Sequence, residues 1–460
     1  MEKILGQTED DEIKMSSNAK DNAYVLKTAR DQGVKFIRLW FTDILGILKN
    51  VAITIEELED ALEQGVGFDG SAVEGFTRDR ESDMIAMPDP NTFAILPWRP
   101  KENAVARMFC DIVKPGGEPF EGDPRYILKK NLRAAAKLGF TFYVGPELEH
   151  FYFTSAEDPK PLDTGGYFDL TPLDIASDLR RETILVLEEL GIGVEFSHHE
   201  VAPSQHEIDF RYTDALTMAD SVMTYRLVAK EIALKHGVYA TFMPKPCQGE
   251  NGSGMHVNIS LFKGDRNAFF DGKDGQGLSE IARKFLAGLL RHAPELTVVT
   301  NQWVNSYKRL IPGYEAPVYV TWAFTNRSDL VRIPRYNPQN ESSCRLELRS
   351  PDPACNPYLA FSAILAAGLD GISANPPLPL PPPAEVNVAS LTDEQRKGLK
   401  IRSLPRDLGE AIDLAESSTL LRSALGDHLF ESFLRNKRIE WERYRAQVTD
   451  FELKTYLPLL

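Results

Sequence analysis

Hydrophobic and polar positions alternate in several short runs of this chain, and between those runs apolar residues recur at helical spacing. Over residues 35–53 aromatic and aliphatic side chains alternate with polar ones around an interior turn, which predicts a pair of strands. Residues 20–117 read as a small mixed domain closing at Lys114-Pro115-Gly116-Gly117, and residues 1–19 as a polar, loosely ordered lead-in. A helix is expected next: Asp123 can cap it, Pro124 suits its first position and Gly139 follows its last turn. A second helix is expected from Thr171-Pro172 to Leu190-Gly191, with Ile175, Leu179, Leu187 and Leu190 on one face. Further helices are expected over 214–236, 279–292 and 356–370. Six prolines between 376 and 383 make a stiff connector. From Asp407 to about Gln447 the pattern is helical again, ending in a short extended segment.

The segments between the helices carry the candidate chemistry. In a strand, residues i and i+2 share a face about 7 Å apart, so FTFYVGPELEHFYF places Glu147 and Glu149 side by side. VEFSHHE turns at Ala202-Pro203-Ser204 and returns through Gln205-His206-Glu207-Ile208, leaving Glu200 and Glu207 on either side of the turn. In NGSGMHVNISLF, His256, Asn258 and Ser260 face away from Val257, Ile259 and Leu261, after a Gly-rich loop that suits close backbone approach. In CRLELRS, Arg345, Glu347 and Arg349 alternate with Cys344, Leu346 and Leu348. Taken singly, each is an ordinary solvated strand face or polar loop. Together, five glutamates and one histidine form an oxygen-rich donor set that suits Mg²⁺ or Mn²⁺ better than zinc. So many carboxylates on one face repel one another unless cations lie between them. Arg309, Arg327 and Arg332, with Glu315 in a Pro/Gly-bracketed loop, add the positive charge that phosphoryl transfer needs.

Composition narrows the classes. The 460 residues carry a net charge of −15, which argues against a nucleic-acid binder or a polybasic membrane-surface protein, while a local arginine cluster still allows anionic substrates. Hydrophobic residues make up 43%, enough for a large core. The N-terminus carries acids where a signal peptide needs a basic start, and the run from Tyr358 to Ile372 is too short to span a bilayer. Four cysteines show no CxxC spacing. A soluble, cytoplasmic protein is expected, without membrane or nucleic-acid partners.

Several long segments in order make the chain resemble class I glutamine synthetases of the unadenylylated type, over about residues 20–460. They are FDGSAVEGF and ESDM (68–84), GPELEHFYF (145–153), HHEVAPSQHEID (198–209) and NGSGMHVNISLF (251–262). KRLIPGYEAP (308–317), NRSDLVRIP (326–334) and LELRSPDPACNPYLAF (346–361) complete the set. The resemblance implies an α+β fold: a small β-grasp-like N-terminal domain (20–117) and a large catalytic domain (118–460) with an antiparallel β-sheet flanked by helices. It implies ATP-dependent ligation of ammonia to L-glutamate through a γ-glutamyl phosphate intermediate.

Carried onto this sequence, the resemblance gives one metal to Glu149, Glu200 and Glu207 and another to Glu147, His256 and Glu347, so two or more Mg²⁺ (or Mn²⁺) per site. Glutamate would be held by Asn251, Gly252, Arg309, Glu315 and Arg349. ATP, the co-substrate, would meet Glu195, Tyr212, Asn258, Ser260, Arg327, Arg332 and Arg345. Ammonium would bind at Asp69, Tyr167 and Glu200, with Asp69 supplied by a neighbouring subunit. Asp69, Glu315 and Arg327 would be catalytic, and Arg78 would link glutamine feedback to the site. The assembly implied is a homododecamer of two hexameric rings with active sites between subunits.

This chain also departs from the family. Ala72 stands where the family usually has a second serine, Asn258 replaces a second histidine of many members, and Ala389 stands where a modifiable tyrosine is expected. The last predicts no control by adenylylation. Two alternatives stay open on sequence alone: a γ-glutamyl-amide ligase using a primary amine, towards which Ala72 leans, and an inactive nitrogen-sensing homologue, against which the full ligand set argues.

Overall fold

A computed structural model describes residues 22–76, 82–326, 328–334, 340–384 and 386–460. Arg78, Arg327 and residues 335–339 therefore lie outside the described residues.

Among those residues, a first sheet runs in the order Leu48–Thr54, Val34–Thr42, Ala104–Val113, Asp83–Pro88, Val66–Asp69, with Ala94–Ile95 also on Ala104–Val113. Its central pair, Val34–Thr42 and Ala104–Val113, is parallel and its other pairings antiparallel. Strand periodicity divides its side chains between two cores. Ile37, Leu39, Phe41, Met108 and Cys110 pack into a small cluster with Val25 and Leu58. Trp40 and Phe109, opposite each other in register, face the main core and meet edge to face at 5.6 Å.

The second sheet runs Trp322–Ala323, Val331–Arg332, Leu346–Leu348, Met255–Lys263, Thr141–Phe153, Gln205–Phe210, Val194–His199. It is antiparallel except for its first pair. Helices cover one face. The helix Pro124–Lys137 starts as its sequence dictates, with the Asp123 carboxylate accepting from the Arg125 N–H at 2.9 Å and proline in the first turn. Ala215–Lys235 is capped by Asp214, Glu280–Thr300 by Ser279 and Pro357–Ser373 by Asn356. No described helix is long and apolar enough to cross a membrane.

Arg125 joins the two parts of the molecule. Its guanidinium meets Asp111 at 2.7 Å and Asp89 at 2.8 Å on the first-sheet side, and Asp220 of the helix Ala215–Lys235 at 3.0 Å. A three-carboxylate partnership lets a single cation remain buried.

Two expectations are corrected. The segment 171–176 is a turn, and the helix begins at Ser177 (Ser177–Glu189). The Ile175 N–H is taken by Asp163, which draws this stretch towards the sheet and out of helical register. The chain's end is helical rather than extended: Asp450–Tyr456 opens with a capping box in which Thr449 and Glu452 exchange hydrogen bonds.

Candidate active site

Register assembles the site. On the face of the second sheet away from the helices, His256, Glu147 and Asp209 lie opposite one another on three neighbouring strands. One side-chain step along, Glu149, Glu207 and His198 form a second row. Glu347 stands opposite Asn258, and Arg332 opposite Glu347. Glu200 follows at the strand end. All but Asn258 and Glu347 line a cavity of about 250 Å³, together with Asn251, Gly252, Arg309, Tyr314, Glu315, Arg349 and Tyr167.

In each of two groups, Glu147, His256 and Glu347, and His198, Glu200 and Glu207, the donor atoms lie within 4.8 Å of one another. The first is the set expected from the sequence. In the second, His198 takes a place beside Glu200 and Glu207, and Glu149 is not one of the three. Its Oε2 accepts from Gln205 Nε2 at 2.8 Å and from the Gly254 N–H at 2.9 Å, anchoring the Gly-rich loop to the sheet. Asn258 links the first group to the arginines. Its amide donates to Glu147 Oε1 at 2.8 Å, and its oxygen accepts from Arg345 Nε at 2.8 Å.

The electrostatics fit divalent cations. Burial and the neighbouring Glu200 push Glu149 up to about 8. Burial and the Glu147 charge push Asp209 to about 8, and burial with Asp209 and Glu149 raises Glu207 well above the usual carboxylate range. Burial acts the same way on Glu147, but hydrogen bonds from His256 and Asn258 outweigh it and hold it at about 2. Three buried acids that resist ionising beside one another are what an oxygen-ligated cation relieves. The Oδ1 of Asp209 has no hydrogen-bond partner among the described residues.

Around the acids lies positive charge. Glu347 is fully buried between Arg332 and Arg349, both of which donate to its carboxylate. Arg309 is fixed by the Ser350 carbonyl at 2.6 Å and the Arg349 carbonyl at 3.0 Å. Glycine is required at 252, because a Cβ there would stand 2.2 Å from the Pro244 carbonyl oxygen. Beside it, the Asn251 amide donates to Glu315 Oε2 at 3.3 Å, and Glu315 adopts a left-handed φ of 54°, unusual for a glutamate.

The remaining expected residues lie outside the cavity. Ser260 sits further along its strand, opposite Tyr143. Tyr212 is half exposed, 5.9 Å edge to face from Tyr143 and 6.3 Å from Phe262, and Glu195 is exposed on the edge strand. Asp69 is not part of the cavity lining; its carboxylate accepts from the Ser71 N–H at 3.0 Å and the Ser71 hydroxyl at 2.7 Å. His198, Asp209 and Gln205, with the aromatic Phe168, Phe196 and Tyr314, are the lining residues that the sequence did not single out. For two of them a signal was present: Asp209 is two positions from Glu207, and His198 two from Glu200.

Comparison with known proteins agrees with this geometry. Residues 121–456 match the glutamine synthetase catalytic domain and residues 33–115 the glutamine synthetase β-grasp domain. Curated relatives named glutamine synthetase include that of Mycolicibacterium smegmatis, 53% identical over 446 residues that span 96% of this chain and all of the relative. That of Methanosarcina mazei is 52% identical over 95% of this chain and 97% of its own. Among solved structures, a GmaS/ADP complex superposes with a TM-score of 0.85 at 33% identity, covering 94% of this chain and 99% of that one. Plasmodium falciparum glutamine synthetase does so with a TM-score of 0.84 at 27% identity, over 95% and 98%. Full-length relatives at this identity, all carrying the one name, favour neither the amine-ligase nor the inactive alternative. The chain belongs to the glutamine synthetase family, and its activity is the ATP-dependent synthesis of glutamine.

Proposed function

We propose that this chain makes glutamine in the cavity below the Glu315 loop, within a cytoplasmic homododecamer of two hexameric rings. One observation carries the reading: the register that brings Glu147, Glu149, Glu207, Asp209, His256 and Glu347 onto one sheet face. Glu147, His256 and Glu347 would hold one Mg²⁺ or Mn²⁺, and Glu149, Glu200 and Glu207 another, with His198 alongside. When bound, the ions supply positive charge against the carboxylates and the phosphates of ATP.

The chain's own residues do the rest. Arg309 and Arg349 hold the carboxylates of glutamate, and Asn251 and Gly252 take its α-amino end. Arg327, Arg332 and Arg345, with Asn258 and Ser260, face the phosphates, while Glu195 and Tyr212 flank the nucleoside. A γ-carboxylate oxygen of glutamate attacks the γ-phosphorus and ADP leaves. Ammonia then attacks the acyl carbon, and phosphate leaves with that oxygen. Glu315 closes over the acyl phosphate, excludes water and takes the proton lost by ammonium. Tyr167 and Glu200 form the ammonium site with Asp69 of a neighbouring subunit. The place of this chain's own Asp69, outside the cavity lining, supports an acid supplied in trans.

The test is phosphate release from ATP with Mg²⁺ and glutamate, comparing ammonium with a panel of primary amines. Turnover requiring ammonium is expected. Turnover with an amine and none with ammonium would overturn the reading.

A further inference from the structure

Beneath the ammonium side of the cavity lies a buried group that the reaction does not use: Asp163, His199 and His206, whose donor atoms come within 4.8 Å of one another. The spacing would admit a metal, but the hydrogen bonds argue otherwise. His199 Nδ1 faces the Glu200 carbonyl oxygen at 2.7 Å and its Nε2 faces Asp163 Oδ1 at 3.1 Å, so both ring nitrogens donate. His206 Nδ1 lies 2.6 Å from an Arg180 nitrogen, which only donates, so Nδ1 accepts and Nε2 keeps its hydrogen. No imidazole lone pair is left for a cation.

What the group does instead follows from its partners. The Asp163 carboxylate also accepts from the Ser204 N–H at 2.8 Å, the Gly165 N–H at 3.3 Å and the Ile175 N–H at 3.3 Å. Ser204, at a left-handed φ of 57°, turns the hairpin between Glu200 and Glu207, and its hydroxyl accepts from the Leu162 and Asp163 N–H groups. From the other side, the His199 carbonyl accepts from the Phe168 N–H at 3.1 Å. A Cβ on Gly165 would come 2.7 Å from His199 Nε2, so the loop reaches the ring only because that residue is glycine. One buried ion pair thus ties the 162–168 loop, which carries Tyr167, to the hairpin that carries Glu200.

We propose that Asp163 and His199 are a positioning pair that fixes Tyr167 relative to Glu200 and so sets the affinity of the site for ammonium. The inference rests on the ammonium-site reading above. Removing a group that orients a metal-ligating residue typically costs about 10–100-fold in metal affinity or activity, and Glu200 is one of the proposed ligands. In the intact oligomer, Asp163→Asn and His199→Gln are expected to raise the KM for ammonium about tenfold or more, with the KM for ATP and glutamate within about twofold of the parent. The double variant is expected to be no worse than the more damaged single variant, because the two residues act as one unit. Additive losses, an ammonium KM unchanged in both variants, or equal weakening of all three substrates would overturn it. Should Asp163→Asn fail to assemble, His199→Gln, which retains a neutral donor, carries the test. Hydrogen exchange separates this inference from the functional reading. Faster exchange at 164–168 in the variants shows the clamp even if the parent uses no ammonium, and unchanged exchange there refutes it.

Discussion

Arg332 and Glu347 face each other across neighbouring strands, and the arginine Nε donates to Glu347 Oε2 at 2.5 Å. Arg349 takes the other oxygen, so two guanidinium groups balance one buried carboxylate at the edge of the metal group. Breaking such a pair leaves a buried charge short of a partner. Arg332→Ala is expected to lower stability by about 3 kcal/mol and to weaken ADP binding. Urea unfolding and nucleotide titration check the two effects.

Arg125 is the larger structural commitment, with Asp89, Asp111 and Asp220 gathered around it. Arg125→Ala leaves three acids facing one another and is expected to cost about 3–5 kcal/mol. Arg125→Lys is expected to recover only part of this, since a single ammonium lacks the guanidinium fork that reaches all three. Denaturant midpoints of the two variants against the parent decide it.

The site carboxylates give a pH prediction with a definite sign. Glu149 and Asp209, each raised to about 8 by burial and like charge, bind protons in the folded state that the unfolded chain has already lost. Their contribution is therefore full below about pH 4, falls as pH rises towards about 8, and is gone above it. Glu147, held at about 2, is ionised in both states above about pH 6 and adds no slope there. Metal-free protein is expected to melt at progressively lower temperature from pH 6 to pH 8.5. Mg²⁺ or Mn²⁺ should restore most of the loss at the upper end, with proton release on binding that calorimetry in two buffers can count.

Gly252→Ala tests the loop. The added Cβ would meet the Pro244 carbonyl at 2.2 Å, so the backbone must move, carrying Asn251 away from Glu315. A rise in the KM for glutamate of about tenfold or more is expected, because an ångström-scale displacement at a site is costly. Thermal stability should change far less than activity.

Much of this was legible in the sequence, for reasons that differ by element. Alternation places Glu147 beside Glu149 and His256 beside Asn258 because strand periodicity leaves no freedom once one face is apolar. Helix ends were equally plain where a capping residue and proline coincide, as at Asp123-Pro124. Alternation along one strand, however, says nothing about which strands are neighbours. That is why the i+2 spacing of His198 from Glu200 and of Asp209 from Glu207 gains meaning only when register sets them against Glu207 and Glu147. Glu149 shows the converse: its place was legible, but its hydrogen bonds to Gln205 and Gly254 depend on segments 56 and 105 residues further along the chain. The turn at 171–176 was misread because Ile175 and Leu179 mimic a helical face, while Asp163 takes the Ile175 N–H from outside the segment. The final helix was missed although its capping box, Thr449 with Glu452, stood in the sequence.

The most direct test of the account follows one oxygen atom. If glutamate is activated as an acyl phosphate in this cavity, its γ-carboxylate oxygen must leave with the phosphate when ammonia attacks. Turnover of glutamate labelled with ¹⁸O in the γ-carboxylate, with ATP, Mg²⁺ and ammonium, should yield inorganic phosphate carrying one labelled oxygen per glutamine formed. Glutamine formed alongside unlabelled phosphate would contradict it.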